Sequence, residues 1–348
     1  MSQLPSGTYN STYGQDMAIV RTKLQWVLLI GFIALLLTFP LFMAGQYVYL
    51  AIYMGVGVIA ALGLNILTGY CGQISIGQSA FMAVGAFSAG LLIRNIGVPF
   101  WFAIPISGIV AGLSGLVFGI PSLRIKGLYL ALATLAAQFI IVFVIVHGFK
   151  AATGVYIRPP ALGGITFNSD RSYYYIVIVI AIIVTFLCKN IVRSNVGRAF
   201  IAIRDNDIAA EVMGINIFRY KLLAFFIGCF LAGVAGCLWA TYLGLATTES
   251  YTLLESIWLL GMCVVGGLGS ISGTIMGVIA LRGIGYMVQL VGPALSGAIP
   301  ALSANLLSSL EVLVFGLVLL LFLMFEPRGL AHRWEIFKTS YRMHPWSY

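Results

Sequence analysis

The chain of 348 residues carries 61% apolar side chains and only 8% charged ones, with a mean hydropathy of +1.03. Ordinary soluble domains hold about 25% charged residues, so this composition excludes a soluble domain and calls for lipid as solvent. The net charge of +9 would point to nucleic acid in a soluble protein, but here the basic residues follow a membrane topology.

Runs of about twenty apolar residues cross the hydrocarbon core as helices. In chain order such runs cover 24–42, 47–67, 79–93, 99–119, 127–147, 173–189, 222–246, 256–281, 283–298 and 305–325. The expected fold is therefore all-α and polytopic, with about 10 transmembrane helices. A β-barrel is disfavoured, because 173–186 and 312–325 are apolar on every face where a barrel strand alternates. The third and ninth runs are short or glycine-rich, and Val265-Gly266-Gly267-Leu268-Gly269-Ser270 interrupts the eighth. Broken or re-entrant segments are expected there. The first run reads as a retained helix, since its polar leader is long and no small-x-small cleavage site follows cleanly at Phe42-Met43-Ala44.

An N-terminus in the cytoplasm places Arg21, Lys23, Arg124, Lys126, the bases from Lys189 to Lys221, Arg282, Arg328, Arg333, Lys338 and Arg342 on one side. Arg94, Lys150, Arg158 and Arg171 fall on the other. That asymmetry matches the positive-inside rule and puts both termini in the cytoplasm of a prokaryotic cell (inner) membrane. The chain divides into a cytoplasmic tail (1–23), a permease domain (24–325) and a second cytoplasmic tail (326–348). The permease domain includes an outside loop at 148–172 and a cytoplasmic loop at 190–220. The outside loop suits either a docking surface for a partner or a plain cap on the bundle. In the second tail Trp334, Phe337, Tyr341 and Trp346 interleave with bases, which suits a headgroup-level segment and a disordered tail equally.

Cys71, Cys188, Cys229, Cys237 and Cys263 are scattered through apolar surroundings and read as packing residues. The three histidines are too dispersed for a local metal-ligand motif, so no metal site is expected. No Gly-x-x-x-x-Gly-Lys-[Ser/Thr] occurs, which leaves ATP phosphates without a cradle in this chain. Neither His-Glu-x-x-His nor Gly-x-Ser-x-Gly is found, so catalytic residues are not assigned.

The most charged stretch is the cytoplasmic loop. Asp205, Asn206 or Asp207 can cap a helix there, Ala209 and Ala210 favour it, and Gly214 supplies a left-handed end. A helix of about two turns results, with small residues on one side and Arg204, Asp205, Asp207 and Glu211 nearby. It suits either a partner's groove or a solvated loop whose ion pairs are worth at most about 1 kcal/mol.

Polar groups inside lipid mark a pathway or a packing contact. Gln73, Ser75, Gln78 and Ser79 lie among Gly69, Gly72 and Gly77, a composition that can unwind a helix toward a cavity. The spacing of Gly69, Gly72, Ile74 and Ser75 recurs 197 residues later at Gly266, Gly269, Ile271 and Ser272, by internal duplication or by chance in a glycine-rich chain. Glu311, within the last run, joins these candidates for the translocation pathway, the alternative being a helix-packing hydrogen bond near one end of the span.

Five segments in order resemble the permease subunits of ABC importers for branched-chain amino acids, of the LivM type. They are Asn65-Ile66-Leu67-Thr68-Gly69-Tyr70-Cys71-Gly72-Gln73-Ile74-Ser75-Ile76-Gly77, Leu123-Arg124-Ile125-Lys126-Gly127-Leu128-Tyr129-Leu130-Ala131, the Ala-Ile-Arg-Asp-Asn stretch from Ala202, Gly266-Gly267-Leu268-Gly269-Ser270, and Phe325-Glu326-Pro327-Arg328-Gly329-Leu330. The family's Glu-Ala-Ala-x-x-x-Gly signature for docking on the ATPase is similar to Ile208-Ala209-Ala210-Glu211-Val212-Met213-Gly214, with Ile208 replacing its leading Glu. The resemblance implies coupling through Arg204 to Glu211 and Gly214. It also implies a homologous second permease subunit, two ATPase subunits that bind ATP and Mg, and an extracytoplasmic binding protein. Branched-chain or other hydrophobic amino acids are the implied cargo, with urea or short amides as the alternative. An ion-coupled secondary transporter is the rival of another class.

Overall fold

The computed structural model describes residues 23–122, 128–148, 154–162, 165–167, 169–298, 304–326 and 328–343. The N-terminal tail to residue 22, the segment 123–127, Lys150, Pro327 and the last five residues, all invoked above, lie outside the described residues.

Helices dominate. They are α1 (Lys23–Phe42), α2 (Gly45–Leu64), α3 (Gln78–Leu91), α4 (Phe100–Ser122), α5 (Leu128–Gly148) and α6 (Asp170–Arg193). After these come α7 (Asn195–Asp205), α8 (Asp207–Val212), α9 (Ile217–Leu243), α10 (Leu253–Gly266), α11 (Ile271–Ala298), α12 (Ala304–Phe325) and α13 (Gly329–Met343). Two of them widen at their C-terminal ends into π-helical turns, α2 at Asn65–Tyr70 and α3 at Leu92–Ile96. Two small antiparallel ribbons complete the described fold. β1 (Val155–Tyr156) pairs with β4 (Leu245–Ala246), and β2 (Ala161–Leu162) with β3 (Ile165–Thr166).

Seven helices among the described residues are long and apolar enough to cross a bilayer, or eight if α12 and α13, bent by 46° at their junction, form one broken span. The ten expected runs resolve differently: among the described residues the first is a shorter apolar helix, Trp26–Phe42, the last counts only as part of the bent pair, and the eighth and ninth are redrawn. Helix α10 has 14 residues, about 21 Å at 1.5 Å per residue, too short for a hydrocarbon core of about 30 Å. Helix α11 then runs unbroken from Ile271 through Arg282 and Gly283, so the expected boundary between 281 and 283 does not exist. A charge at 282 reads as an interface marker in sequence, but in the structure an acid within the bundle neutralises it. The glycine-rich interruption, in contrast, breaks the chain where expected, between Gly266 and Ile271.

Helix α9 is the central post, packed against α2, α3 and α4. Close approach is achieved by small residues facing one another, as between membrane helices generally. A Cβ on Gly63 would fall 2.7 Å from the Gly228 carbonyl oxygen, and one on Gly85 would run into the backbone of Gly233. All five cysteines are free and buried, in keeping with packing roles.

The two ends of the bundle differ in character. At one end lie α7, α8, the start of α9, the C-terminal end of α2, the α10–α11 break and α13; Gly329 abuts Gly267 there. The β1–β4 ribbon, Gly90 beside Val155, and Tyr242 bonded to Asp170 mark the other. Arg204, Arg219, Lys221, Arg328 and Arg333 thus cluster away from Arg94, Arg158 and Arg171, as their charge pattern led one to expect. Arg282 belongs to neither group. It is buried at mid-helix, which corrects its assignment to the basic face.

Candidate functional site

At the α8 end a helical hairpin stands out from the bundle. Ser194 caps α7 by accepting the Val196 amide at 3.2 Å, and of the three possible caps for α8 it is Asn206 that serves, accepting the Ala209 amide at 3.1 Å. Gly214 closes the turn with φ +83°, the left-handed geometry that favours glycine. The hairpin is longer than expected, because α7 precedes the short helix as a separate 11-residue segment.

Its outward surface is also different in kind. Ala210 turns inward and is buried, while Ile208, Val212 and Met213 are 67%, 82% and 82% exposed. Of the small residues only Ala210 supports the hairpin from beneath, while Ala209 and Gly214 are exposed with the large apolar side chains and Glu211. Isolated exposed apolar side chains are ordinary, whereas Ile208, Val212 and Met213 form a small apolar patch within six residues of one hairpin. Asp207 reaches Lys221 on α9 at 3.9 Å.

Arg204 ties this hairpin to the bundle. It bonds Asp205 at 2.9 Å and also donates to the Gly69 carbonyl at 3.0 Å. Gly69 in turn abuts Gly269, and Asn65 completes the junction by accepting the Gly269 amide at 2.9 Å and donating to the Ser270 carbonyl at 3.2 Å. The two glycine segments related by 197 residues therefore touch in space, and their equivalent glycines, Gly72 and Gly269, both take positive φ, +73° and +78°. Gly266 packs against Gly273, and Ser272 is exposed with its hydroxyl 3.3 Å from that of Ser270. These three residues thus lie at the α8 end of the bundle.

Deeper in, the starts of α3 and α10 meet. Ser79 donates to the Thr252 carbonyl at 2.6 Å and to Gln138 Oε1 at 3.1 Å, while Ser256 donates to Ser79 Oγ at 2.8 Å. Gln138 Nε2 reaches the Tyr251 carbonyl at 2.9 Å. This buried network satisfies the ends of two interrupted helices internally, as non-helical backbone at membrane depth requires. Gln78 bridges α2 and α9, donating to the Gly228 carbonyl at 3.1 Å. Gln73 and Ser75 are buried, yet among the described residues neither the Gln73 amide nor the Ser75 hydroxyl has a hydrogen-bond partner. Glu311 accepts from Gln289 at 3.3 Å and faces Gly285 on α11; it is not part of the Ser79 network.

Sequence reasoning missed one constellation altogether. Glu255 on α10 and Arg282 on α11 form an ion pair inside the bundle, and Arg282 also donates to the Tyr53 hydroxyl and lies 3.7 Å over the Tyr53 ring. Tyr53, Trp239, Met82, Leu243 and Ser250 line a cavity of about 190 Å³ with this pair. The signal was available as opposite charges immediately flanking the run 256–281, but each read as an expected span boundary.

The profile of the family described as branched-chain amino acid transport system / permease component matches residues 46–323. The chain belongs to that family. The permease is 30% identical to the high-affinity branched-chain amino acid transport system permease protein LivM of Escherichia coli, over 75% of this chain and 68% of that protein. It is 29% identical, with the same coverage, to LivM of Salmonella typhimurium. The probable branched-chain amino acid transport permease protein LivM of Methanocaldococcus jannaschii is 22% identical over 80% of this chain and 91% of its own length. No solved structure matches the chain. The permease is therefore a multi-pass membrane component of an ABC-type transport system, a transport subunit and not an enzyme. Among the described residues no three metal-ligating side chains group together.

Proposed function

We infer that this permease forms one half of an ATP-driven import pathway for branched-chain or other hydrophobic amino acids. The α8 end faces the cytoplasm, and the other half of the pathway is a homologous permease subunit. Two ATPase subunits bind ATP and Mg and grip the α7–α8 hairpin, and an extracytoplasmic binding protein delivers the cargo to the ribbon end. The observation that carries this reading is the exposed apolar tip of Ile208, Val212 and Met213, joined through Arg204 to the junction of Gly69 and Gly269. Movement of the hairpin acts on the ends of two broken helices at once, which is the linkage an alternating-access machine needs.

The experiment is site-directed cross-linking in the assembled complex. Met213→Cys should cross-link to the ATPase, whereas Leu113→Cys, exposed on the side of α4, should not. The native cysteines are buried and leave the background low. An assembled complex in which Met213→Cys gives no more cross-link than Leu113→Cys would defeat the docking role.

A further inference from the structure

We propose that the Glu255–Arg282 cavity is a binding station for the zwitterionic head of a small apolar α-amino acid on its way through the permease. This rests on the amino-acid reading above and deepens it.

The pair calls for an explanation beyond stability. A buried salt bridge is often no more stable than well-packed apolar residues of similar volume, and an intramembrane ionisable group is functional by default. Arg282 is 7% exposed and its Nε has no hydrogen-bond partner among the described residues, so the guanidinium keeps unused donor capacity inside the bundle. Glu255 stands near the start of α10, whose cap Thr252 accepts the Glu255 amide at 3.4 Å. Glu311 approaches α11 at Gly285, one helical turn from Arg282. One cation thus sits among two acids.

That charge set is complementary to a zwitterion. Arginine presents a planar fork suited to a carboxylate; when it turns to a ligand carboxylate, Glu255 is released to accept the ligand ammonium, assisted by the faces of Tyr53 and Trp239. Apart from the Ser250 hydroxyl, the rest of the wall, with Val56, Met82 and Leu243, is apolar and suits an aliphatic side chain. A volume of about 190 Å³ equals roughly six waters at about 30 Å³ each, which accommodates a molecule the size of valine or leucine. Urea and short amides carry no ionised groups with which to replace a divided ion pair, so the site disfavours them.

The test uses the complete reconstituted complex with its ATPases and binding protein, measuring ATP-driven uptake of labelled leucine by Glu255→Gln, Arg282→Gln and the double variant. Assembly and ATP hydrolysis are followed in parallel. At least a tenfold loss of uptake is expected in both single variants and in the double variant, with assembly intact. Recovery in the double variant would show that the pair only neutralises itself, and near-normal uptake in either single variant would also overturn the proposal. Should the single variants fail to assemble, Leu243→Trp narrows the cavity from a position that is 44% exposed. It should depress leucine uptake tenfold and alanine uptake less than twofold; equal effects would count against the site. A wild-type complex that moves no leucine at all would instead refute the amino-acid reading itself.

Discussion

Replacing Val212 by Asp tests the docking surface at a position where the fold has little stake. Full burial of a Val, Ile or Met side chain is worth roughly 1.5–3 kcal/mol. With 67%, 82% and 82% of Ile208, Val212 and Met213 open, a partner covering all three gains at most roughly 3–7 kcal/mol. Val212→Asp removes about 1–2 kcal/mol of that and places a charge in an apolar contact, where burial without a partner is more costly still. Since about 1.4 kcal/mol is a tenfold change in affinity, association with the ATPase should weaken at least tenfold. Bundle stability should change by no more than about 0.5 kcal/mol, as for other surface substitutions. Titration of purified permease with ATPase subunits measures the first, and thermal denaturation in detergent the second. Unchanged affinity together with unchanged uptake would refute the reasoning.

Other elements yield sharper structural outcomes. Gly85→Leu forces a side chain into the Gly233 backbone and should destabilise the bundle by about 3 kcal/mol or more, seen as a lowered melting temperature or loss of folded protein. Asn65→Leu leaves the Gly269 amide without its partner, whereas the Ser270 carbonyl still accepts from Thr274. A loss of about 1–3 kcal/mol for the stranded amide follows, detectable as accelerated hydrogen exchange confined to the α10–α11 break. Arg204→Ala leaves the tip of α8 intact but removes the bond to Gly69. ATPase binding should persist while the amount of cargo moved per ATP falls tenfold or more, read as the ratio of uptake to phosphate release.

Much of the architecture was legible because apolar length reports directly on membrane crossing. The runs at 47–67, 99–119 and 222–246 sit within a few residues of α2, α4 and α9. The glycine interruption after Val265 was visible for a similar reason, since adjacent glycines cannot sustain a helix without support. Arg282 misled, because hydropathy treats a charge as a boundary and has no knowledge of Glu255 27 residues earlier in the chain. The α8 hairpin was recognised from its cap and its glycine, but its facing was not. Six helical residues are too few for periodicity to say which side meets the bundle, so Ala210 inward and Val212 outward emerge only from packing. The contact of Gly69 with Gly269 likewise depends on tertiary placement, although the repeated spacing hinted that the two segments were related.

The central claim is that this permease works as one half of a pathway driven by ATP through α8. The most direct measurement is labelled leucine uptake into proteoliposomes, comparing the permease alone under imposed proton or sodium gradients with the complete complex supplied with ATP on the α8 side. Uptake only by the complete complex, dependent on ATP and indifferent to the gradients, is the predicted result. Uptake by this chain alone, driven by an ion gradient without ATP, would contradict it.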